Sequence, residues 1–129
     1  MSTANKQQAF LYMPDISGFT QFVTETEIEH STHIIQELLE IIIADNHLNM
    51  EVIEIEGDAV FFFRFGKSPS VKEIVEQSKS IFEKFHLHLL KYEHQRICQC
   101  RTCKTASNLT LKFIIHSGMV SSYHIMDRF

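Results

Sequence analysis

The 129 residues are enough for one domain with a substantial hydrophobic core. Their formal net charge is −4 and the lysines and arginines are scattered, so the chain lacks the basic surface that nucleic-acid binding requires. No segment reaches the roughly 20 consecutive apolar residues that cross a bilayer, and the polar N-terminus lacks the apolar region of a signal peptide. We therefore expect a single cytoplasmic domain with neither a nucleic-acid partner nor a membrane partner.

The first third of the chain predicts one strand and two helices. An apolar strand over residues 9–15 is followed by a turn that contains Gly18. A short helix is predicted over residues 18–25. A longer one is predicted over residues 29–45, where apolar side chains recur at helical spacing.

The rest of the chain predicts a hairpin, a helix and a strand. The hairpin is expected over residues 50–65, with its turn at Gly57-Asp58. Ser70 and Glu73 have the spacing of a capping box, so a helix should begin there and run to about residue 93. We expect this helix to bury seven apolar side chains: Val71, Ile74, Val75, Ile81, Phe82, Phe85 and Leu89.

A polar loop is predicted over residues 94–107, before a final strand over residues 108–116. The resulting order is β-α-α-β-β-α-β. It predicts a ferredoxin-like α+β fold, in which an antiparallel sheet carries its helices on one face.

Two carboxylates stand where predicted strands end. Asp15 closes the first strand and Asp58 lies in the hairpin turn. Mg²⁺ is commonly bound by one or two carboxylates together with water and substrate phosphates, and N–H groups at a helix start attract phosphate. A metal–phosphate site is one interpretation; the alternatives are a helix N-cap for Asp15 and an ordinary turn residue for Asp58.

Three segments resemble the class III nucleotidyl cyclase domain of adenylate and guanylate cyclases, here in a subfamily of bacterial type. They are Asp15-Ile16-Ser17-Gly18-Phe19-Thr20, Gly57-Asp58, and the apolar strand that ends in His116-Ser117-Gly118. Their order and spacing agree with that family from about residue 10 to residue 120. The resemblance implies a cyclase-type ferredoxin-like fold for the whole chain, residues 1–129.

The resemblance also implies roles for individual residues. Asp15 and Asp58 would hold two Mg²⁺ or Mn²⁺ ions, assisted by the carbonyl group of Ile16. Gly18, Phe19 and Thr20 would offer N–H groups to the phosphates of a purine nucleoside triphosphate.

Glu54 occupies the position at which adenylate cyclases carry Lys and guanylate cyclases carry Glu. A carboxylate only accepts hydrogen bonds, and guanine presents an N1–H and an amino group on one edge. The resemblance therefore favours GTP over ATP. The alternative is that Glu54 is simply a strand residue that faces solvent.

In the family, an Asn and an Arg that act on the transition state follow the third motif, and the site forms between two subunits. We expect this chain to lack that C-terminal segment and to be inactive alone, whereas the full-length protein would be a purine nucleotide cyclase, a phosphorus–oxygen lyase, and a homodimer. The alternative is a catalytically inactive cyclase fold that serves as a binding or regulatory module.

All three cysteines lie within six residues of the predicted polar loop. Tetrahedral zinc is commonly bound by thiolates at this spacing, so Cys98, Cys100 and Cys103 predict a Zn²⁺ site. His94 is the first candidate for the fourth ligand, and His88 or a non-protein ligand is the alternative. The alternative is a set of reduced or redox-active thiols, which would sense metal or redox state in the regulatory module.

Overall fold

A computed structural model describes residues 5–18, 28–95 and 108–122 of the chain. Those residues form four strands and two helices: β1 (Asn5–Ser17), α1 (Ile28–Ala44), β2 (Glu51–Glu56), β3 (Ala59–Phe65), α2 (Val71–Gln95) and β4 (Thr110–Ser122). The short helix predicted over residues 18–25 lies outside the described residues, except for Gly18. The cysteine-bearing segment also lies outside them.

The four strands form one antiparallel sheet in the order β2-β3-β1-β4. The fold prediction is confirmed, because this sheet and two helices form an α+β unit. Strands β1 and β4 differ from the prediction in length: they pair along all 13 residues of β1, so both run further than the apolar patterns indicated. Mutual pairing extends the strands over polar residues that have no strand signal of their own.

Both helices cover the same face of the sheet. Alternate side chains of β1 point to that face, and Phe10, Tyr12 and Ile16 are buried in one cluster with residues of both helices. The helices contribute Leu38 and Ile42 from α1 and three side chains from α2 to this cluster: Ile81, Phe85 and Leu89. The intervening β1 residues, including Asp15, therefore point to the face that neither helix covers.

The predicted burial of three α2 side chains is wrong. Val71 is 78% exposed, Val75 44% and Phe82 41%. The helix turns the face that contains Ile81 and Phe85 towards the sheet, and Val75 and Phe82 lie about a quarter-turn further around it. Val71 is the first residue of the helix. Two apolar stripes share this helix, and only packing against the sheet decides which one is buried.

The predicted capping box at the start of α2 is confirmed. The main-chain N–H of Glu73 donates to Ser70 Oγ at 3.2 Å, and the N–H of Ser70 donates to Glu73 Oε1 at 3.0 Å. This reciprocal pair satisfies two N–H groups that the first helical turn leaves without a partner.

A buried acid joins the two helices. Asp45 directly follows α1 and is 3% exposed. It accepts hydrogen bonds from Lys84 Nζ at 2.6 Å, Ser80 Oγ at 2.7 Å and His47 Nε2 at 2.7 Å. The side-chain amide of Gln77 contacts the Asp45 carbonyl oxygen and accepts the N–H of His47 at 2.7 Å. The sequence identified this position only as a helix exit.

Neither described helix is long and apolar enough to cross a membrane.

Candidate functional site

The first corner of the site is the end of β1. Asp15 is 17% exposed, between the buried residues Pro14 and Ile16. Gly18 follows with a φ of +90°, a left-handed conformation that residues other than glycine adopt with strain. The strand therefore ends at Ser17 and turns at Gly18, three residues after Asp15, so the Asp15 carboxylate lies close to the end of the sheet.

The second corner is the turn between β2 and β3. Gly57 has a φ of +54°, which brings the chain sharply round into Asp58 and β3. The main-chain N–H of Ile16 donates to the Asp58 carbonyl oxygen at 2.8 Å, and Asp15 pairs with Ala59 in the β1–β3 register. The structure thus brings Asp15 and Asp58 together at one end of the helix-free face.

The two carboxyl groups affect each other electrostatically. Burial raises the pKa of Asp58, and the negative charge of Asp15 raises it further. Asp15 Oδ1 is buried and has no hydrogen-bond partner among the described residues. A buried carboxylate oxygen without a donor, next to a second carboxyl group, is an arrangement that a cation stabilises.

A lysine that the sequence analysis missed completes this group. Lys112 of β4 pairs directly with Asp15 of β1, and its Nζ lies 3.4 Å from Asp15 Oδ2. Only the register between two strands that are far apart in the sequence places it there. The apolar strand pattern carried no signal for this contact.

Glu54 lies on the same face as the carboxylate pair. In the β2–β3 register Glu54 is opposite Phe61, and Glu56 is opposite Ala59, the residue that also pairs with Asp15. A step of two residues along a strand is about 7 Å, and a step of two strands across a sheet is about 10 Å. On these ideal spacings Glu54 lies about 12 Å from Asp15, and its side chain is exposed.

Several predicted site residues are outside this group or outside the described residues. The Ile16 side chain is 1% exposed and belongs to the core, so the proposed role of its carbonyl stays a prediction. Phe19 and Thr20 are not described. Within the described ranges, no group of three or more His, Cys, Asp or Glu side chains is placed to hold a metal ion, so Asp15 and Asp58 stand as a pair of carboxylates.

The zinc prediction also stays open. Cys98, Cys100 and Cys103 lie outside the described residues. His94 was predicted to lie in the loop, but α2 extends to Gln95, so His94 belongs to the last turn of that helix.

The chain has a matching family model. Residues 35–129 match the family described as "Protein of unknown function (DUF2652)". The chain belongs to the DUF2652 family. An uncharacterized protein of Mycobacterium tuberculosis is 29% identical to this DUF2652 chain over 89 residues, which are 69% of the chain and 41% of that protein. The chain thus covers well under half of the relative's length.

Solved structures similar to the DUF2652 chain are cyclase domains. The adenylyl cyclase CyaB from P. aeruginosa superimposes with a TM-score of 0.66 at 18% identity, over 92% of the chain and 60% of CyaB. The dimeric guanylyl cyclase domain of the RhoGC fusion protein from the aquatic fungus Blastocladiella emersonii gives 0.56 at 16% identity, over 94% of the chain and 63% of that domain.

A third similar structure is a class III adenylyl cyclase-like ATP-binding protein from Pseudomonas aeruginosa. Its TM-score is 0.64 at 18% identity, over 92% of the DUF2652 chain and 26% of that protein. At these identities the likeness concerns the fold alone. The predicted resemblance to class III cyclases is therefore confirmed for the fold.

Proposed function

We propose that the chain is a nucleotidyl-cyclase-like domain that binds a divalent metal ion with a purine nucleotide at the Asp15–Asp58 end of its helix-free face. One observation carries the proposal: Asp15 Oδ1 is buried without a donor among the described residues, directly beside the Asp58 carboxyl group. A buried acceptor without a partner costs free energy, and a bound cation would remove that cost.

The residues present fit Mg²⁺ or Mn²⁺. Asp15 and Asp58 supply hard oxygen ligands in the number that Mg²⁺ usually takes from a protein, and water and phosphate oxygens complete the coordination. Bound there, the ion would neutralise phosphate charge and make a substrate hydroxyl more acidic. The Gly18 turn, with Phe19 and Thr20, would direct N–H groups at the phosphates.

Glu54 is proposed to select the base. A nucleotide with its phosphates at Asp15 and Asp58 can place its base over the neighbouring part of the helix-free face, where Glu54 is exposed. The Glu54 carboxylate accepts hydrogen bonds from the guanine N1–H and amino group and offers no donor to adenine N1. We therefore propose that GTP binds more tightly than ATP.

The helix-free face is proposed to be covered by a second copy of the chain. Ile114 is 48% exposed and Phe65 39% on this face, and neither described helix covers it. Light scattering should find a dimer that Ile114→Glu dissociates. Ile115→Glu is the matched control, because Ile115 is 42% exposed but pairs with Tyr12 and so lies on the helix-covered face. A monomeric wild type would contradict the dimer, and equal effects of the two variants would contradict its placement on the helix-free face.

Cyclisation of the nucleotide is proposed for the full-length protein, as a phosphorus–oxygen lyase. The chain covers 60% of CyaB, so we propose nucleotide binding for the 129 residues and cyclisation for the whole protein.

The second candidate is a regulatory module that binds nucleotide without catalysis. It is favoured by the similar structure that is named as a class III adenylyl cyclase-like ATP-binding protein. The predicted zinc or redox chemistry of Cys98, Cys100 and Cys103 would belong to this module.

Nucleotide binding tests the proposal. Fluorescent GTP and ATP analogues would be titrated with Mn²⁺, and then with excess chelator, against the wild type, Asp15→Asn and Asp58→Asn. We expect metal-dependent binding with GTP ahead of ATP, and a loss of at least about tenfold in affinity for both variants. Glu83→Gln, an exposed acid on α2, is the control. Binding that survives chelation, or Asp15→Asn binding like wild type, refutes the proposed site.

An assay for cyclic product with the full-length protein separates the two candidates. Cyclic GTP formed in the presence of Mn²⁺ supports the enzyme. Metal-dependent binding without product supports the regulatory module.

A further inference from the structure

The contact between Lys112 and Asp15 is built into the sheet. The two residues are direct partners in the β1–β4 ladder, whose register is fixed over 13 pairs. Cross-strand partners have their side chains on the same face and close together. The ammonium group is thus held beside the carboxylate pair by strand register and does not depend on a mobile loop.

The two oxygens of Asp15 have different surroundings. Oδ2 lies 3.4 Å from Lys112 Nζ, whereas Oδ1 is buried and has no hydrogen-bond partner among the described residues. A cation that approaches Oδ1 must therefore come within a few Å of an ammonium group that already neutralises the other half of the same carboxylate. Like charges at that separation repel each other strongly where water is partly excluded.

The Lys112 side chain is also able to rotate away from Asp15. It is 61% exposed, whereas that of Asp15 is 17% exposed. Rotation of the lysine into solvent breaks no other hydrogen bond that the structure records for it and leaves the main-chain ladder intact. The ion pair is thus a reversible contact on a rigid support.

We propose that Lys112 is a counter-cation of Asp15 that competes with the divalent ion. It keeps ion binding weak as long as its ammonium group stays beside Asp15. This inference rests on the metal centre of the proposed function and adds a regulatory contact to it. In the absence of a divalent ion, Lys112 offsets part of the repulsion between Asp15 and Asp58. When an ion binds, the same ammonium group opposes it.

The test is Mn²⁺ affinity without nucleotide, read from the electron paramagnetic resonance signal of free Mn²⁺. Lys112→Met removes the charge and keeps most of the side chain, and it should bind Mn²⁺ about two- to fivefold more tightly than wild type, the range that an exposed ion pair supports. Lys112→Arg should keep the wild-type affinity. Lys79→Met, which removes an exposed charge from α2, should also change nothing.

The melting temperature is a second measurement, and it should fall in the variant whose Mn²⁺ affinity rises. With chelator present, Lys112→Met should melt at a lower temperature than wild type, because Asp15 and Asp58 then lack a nearby positive charge. Lys112→Gln repeats both measurements with a polar side chain, in case the methionine variant folds poorly. A lysine with a merely structural role would lower the melting temperature without tightening Mn²⁺ binding.

The outcomes separate the two proposals. If wild type binds Mn²⁺ and Asp15→Asn does not, but Lys112→Met and Lys112→Gln bind no more tightly than wild type, the counter-cation is refuted and the metal centre stands. If neither the wild type nor any Lys112 variant binds Mn²⁺, both proposals fail.

Discussion

The main-chain N–H of Ile16 donates a 2.8 Å hydrogen bond to the carbonyl oxygen of Asp58. This bond joins the end of β1 to the turn between β2 and β3, and therefore joins the two segments that carry the candidate carboxylates. Because the bond is made by the backbone, side-chain substitutions at Asp15 or Asp58 leave the corner in place. The charges of Asp15 and Asp58 can thus be changed while the backbone contact between β1 and the turn is kept.

Asp58→Asn is expected to stabilise the metal-free protein at neutral pH. Burial raises the pKa of Asp58 above its ordinary value of 3.8, with the charge of Asp15 as a further cause. The folded state then holds this proton more tightly than the unfolded state, so stability falls as the pH rises from 3.8 through the raised pKa and stays lower above it.

Asparagine should raise the melting temperature at pH 7 by about 1–3 °C in the presence of chelator. The difference should vanish below pH 3.8, where Asp58 is protonated in both states. Scanning fluorimetry at the two pH values checks this, with Glu83→Gln as the control. A destabilised Asp58→Asn variant at pH 7 would show that the carboxylate already has a stabilising partner.

Asp45→Asn is expected to destabilise the fold. Burial by itself raises the pKa of Asp45, but hydrogen bonds from Lys84, Ser80 and His47 outweigh it and lower the pKa below 3.8. The variant loses charge-assisted hydrogen bonds in a buried site, so the free energy of unfolding should fall by about 2–3 kcal/mol.

Urea denaturation at pH 7 measures this loss, and Glu76→Gln, which changes an exposed acid of α2, should change little. Because the pKa is lowered, the contribution of Asp45 is present above pH 3.8 and is lost as the pH falls through the lowered pKa. The difference in the free energy of unfolding between wild type and Asp45→Asn should therefore narrow only in that acidic range. If this difference in free energy already disappears between pH 7 and pH 5, the lowered pKa of Asp45 is contradicted.

Glu54→Lys is expected to reverse the preference for the base. Lysine donates hydrogen bonds where glutamate accepts them, so GTP affinity should fall by about tenfold and ATP affinity should rise. Competition binding with Mn²⁺ present measures both. Glu51→Lys is the matched control, because Glu51 lies on the same strand opposite Phe63, further from the carboxylate pair. Equal effects of the two lysines would indicate general electrostatics in place of base recognition.

Ser70→Ala is expected to lower the free energy of unfolding by about 1 kcal/mol, because it removes the acceptor for the main-chain N–H of Glu73. Ser70→Asp keeps an acceptor and should retain most of the stability. Thermal and urea denaturation followed by helical circular dichroism check both variants. An alanine variant as stable as the wild type would mean that tertiary packing alone holds this helix end.

Local chemistry made much of the fold predictable. Ser70 and Glu73 cap a helix through bonds that span three residues, and Gly57-Asp58 forms a turn whose requirement for a positive φ is met by the glycine itself. Signals of this kind act between neighbours in the chain, so the sequence by itself determined the capped helix, the hairpin and the positions of Asp15 and Asp58 at strand ends.

The tertiary structure decided what depends on register and on the choice between faces. The Asp15–Lys112 pair exists because β1 and β4 align in one register. Asp45 accepts a hydrogen bond from Lys84, 39 residues away, and this contact depends on how the two helices pack together. Val75 and Phe82 repeat with the same period as the buried side chains of α2, so periodicity alone could not show that they stay exposed. Contacts between distant segments carry no local signature, because they are fixed only when the whole sheet and its helices pack together.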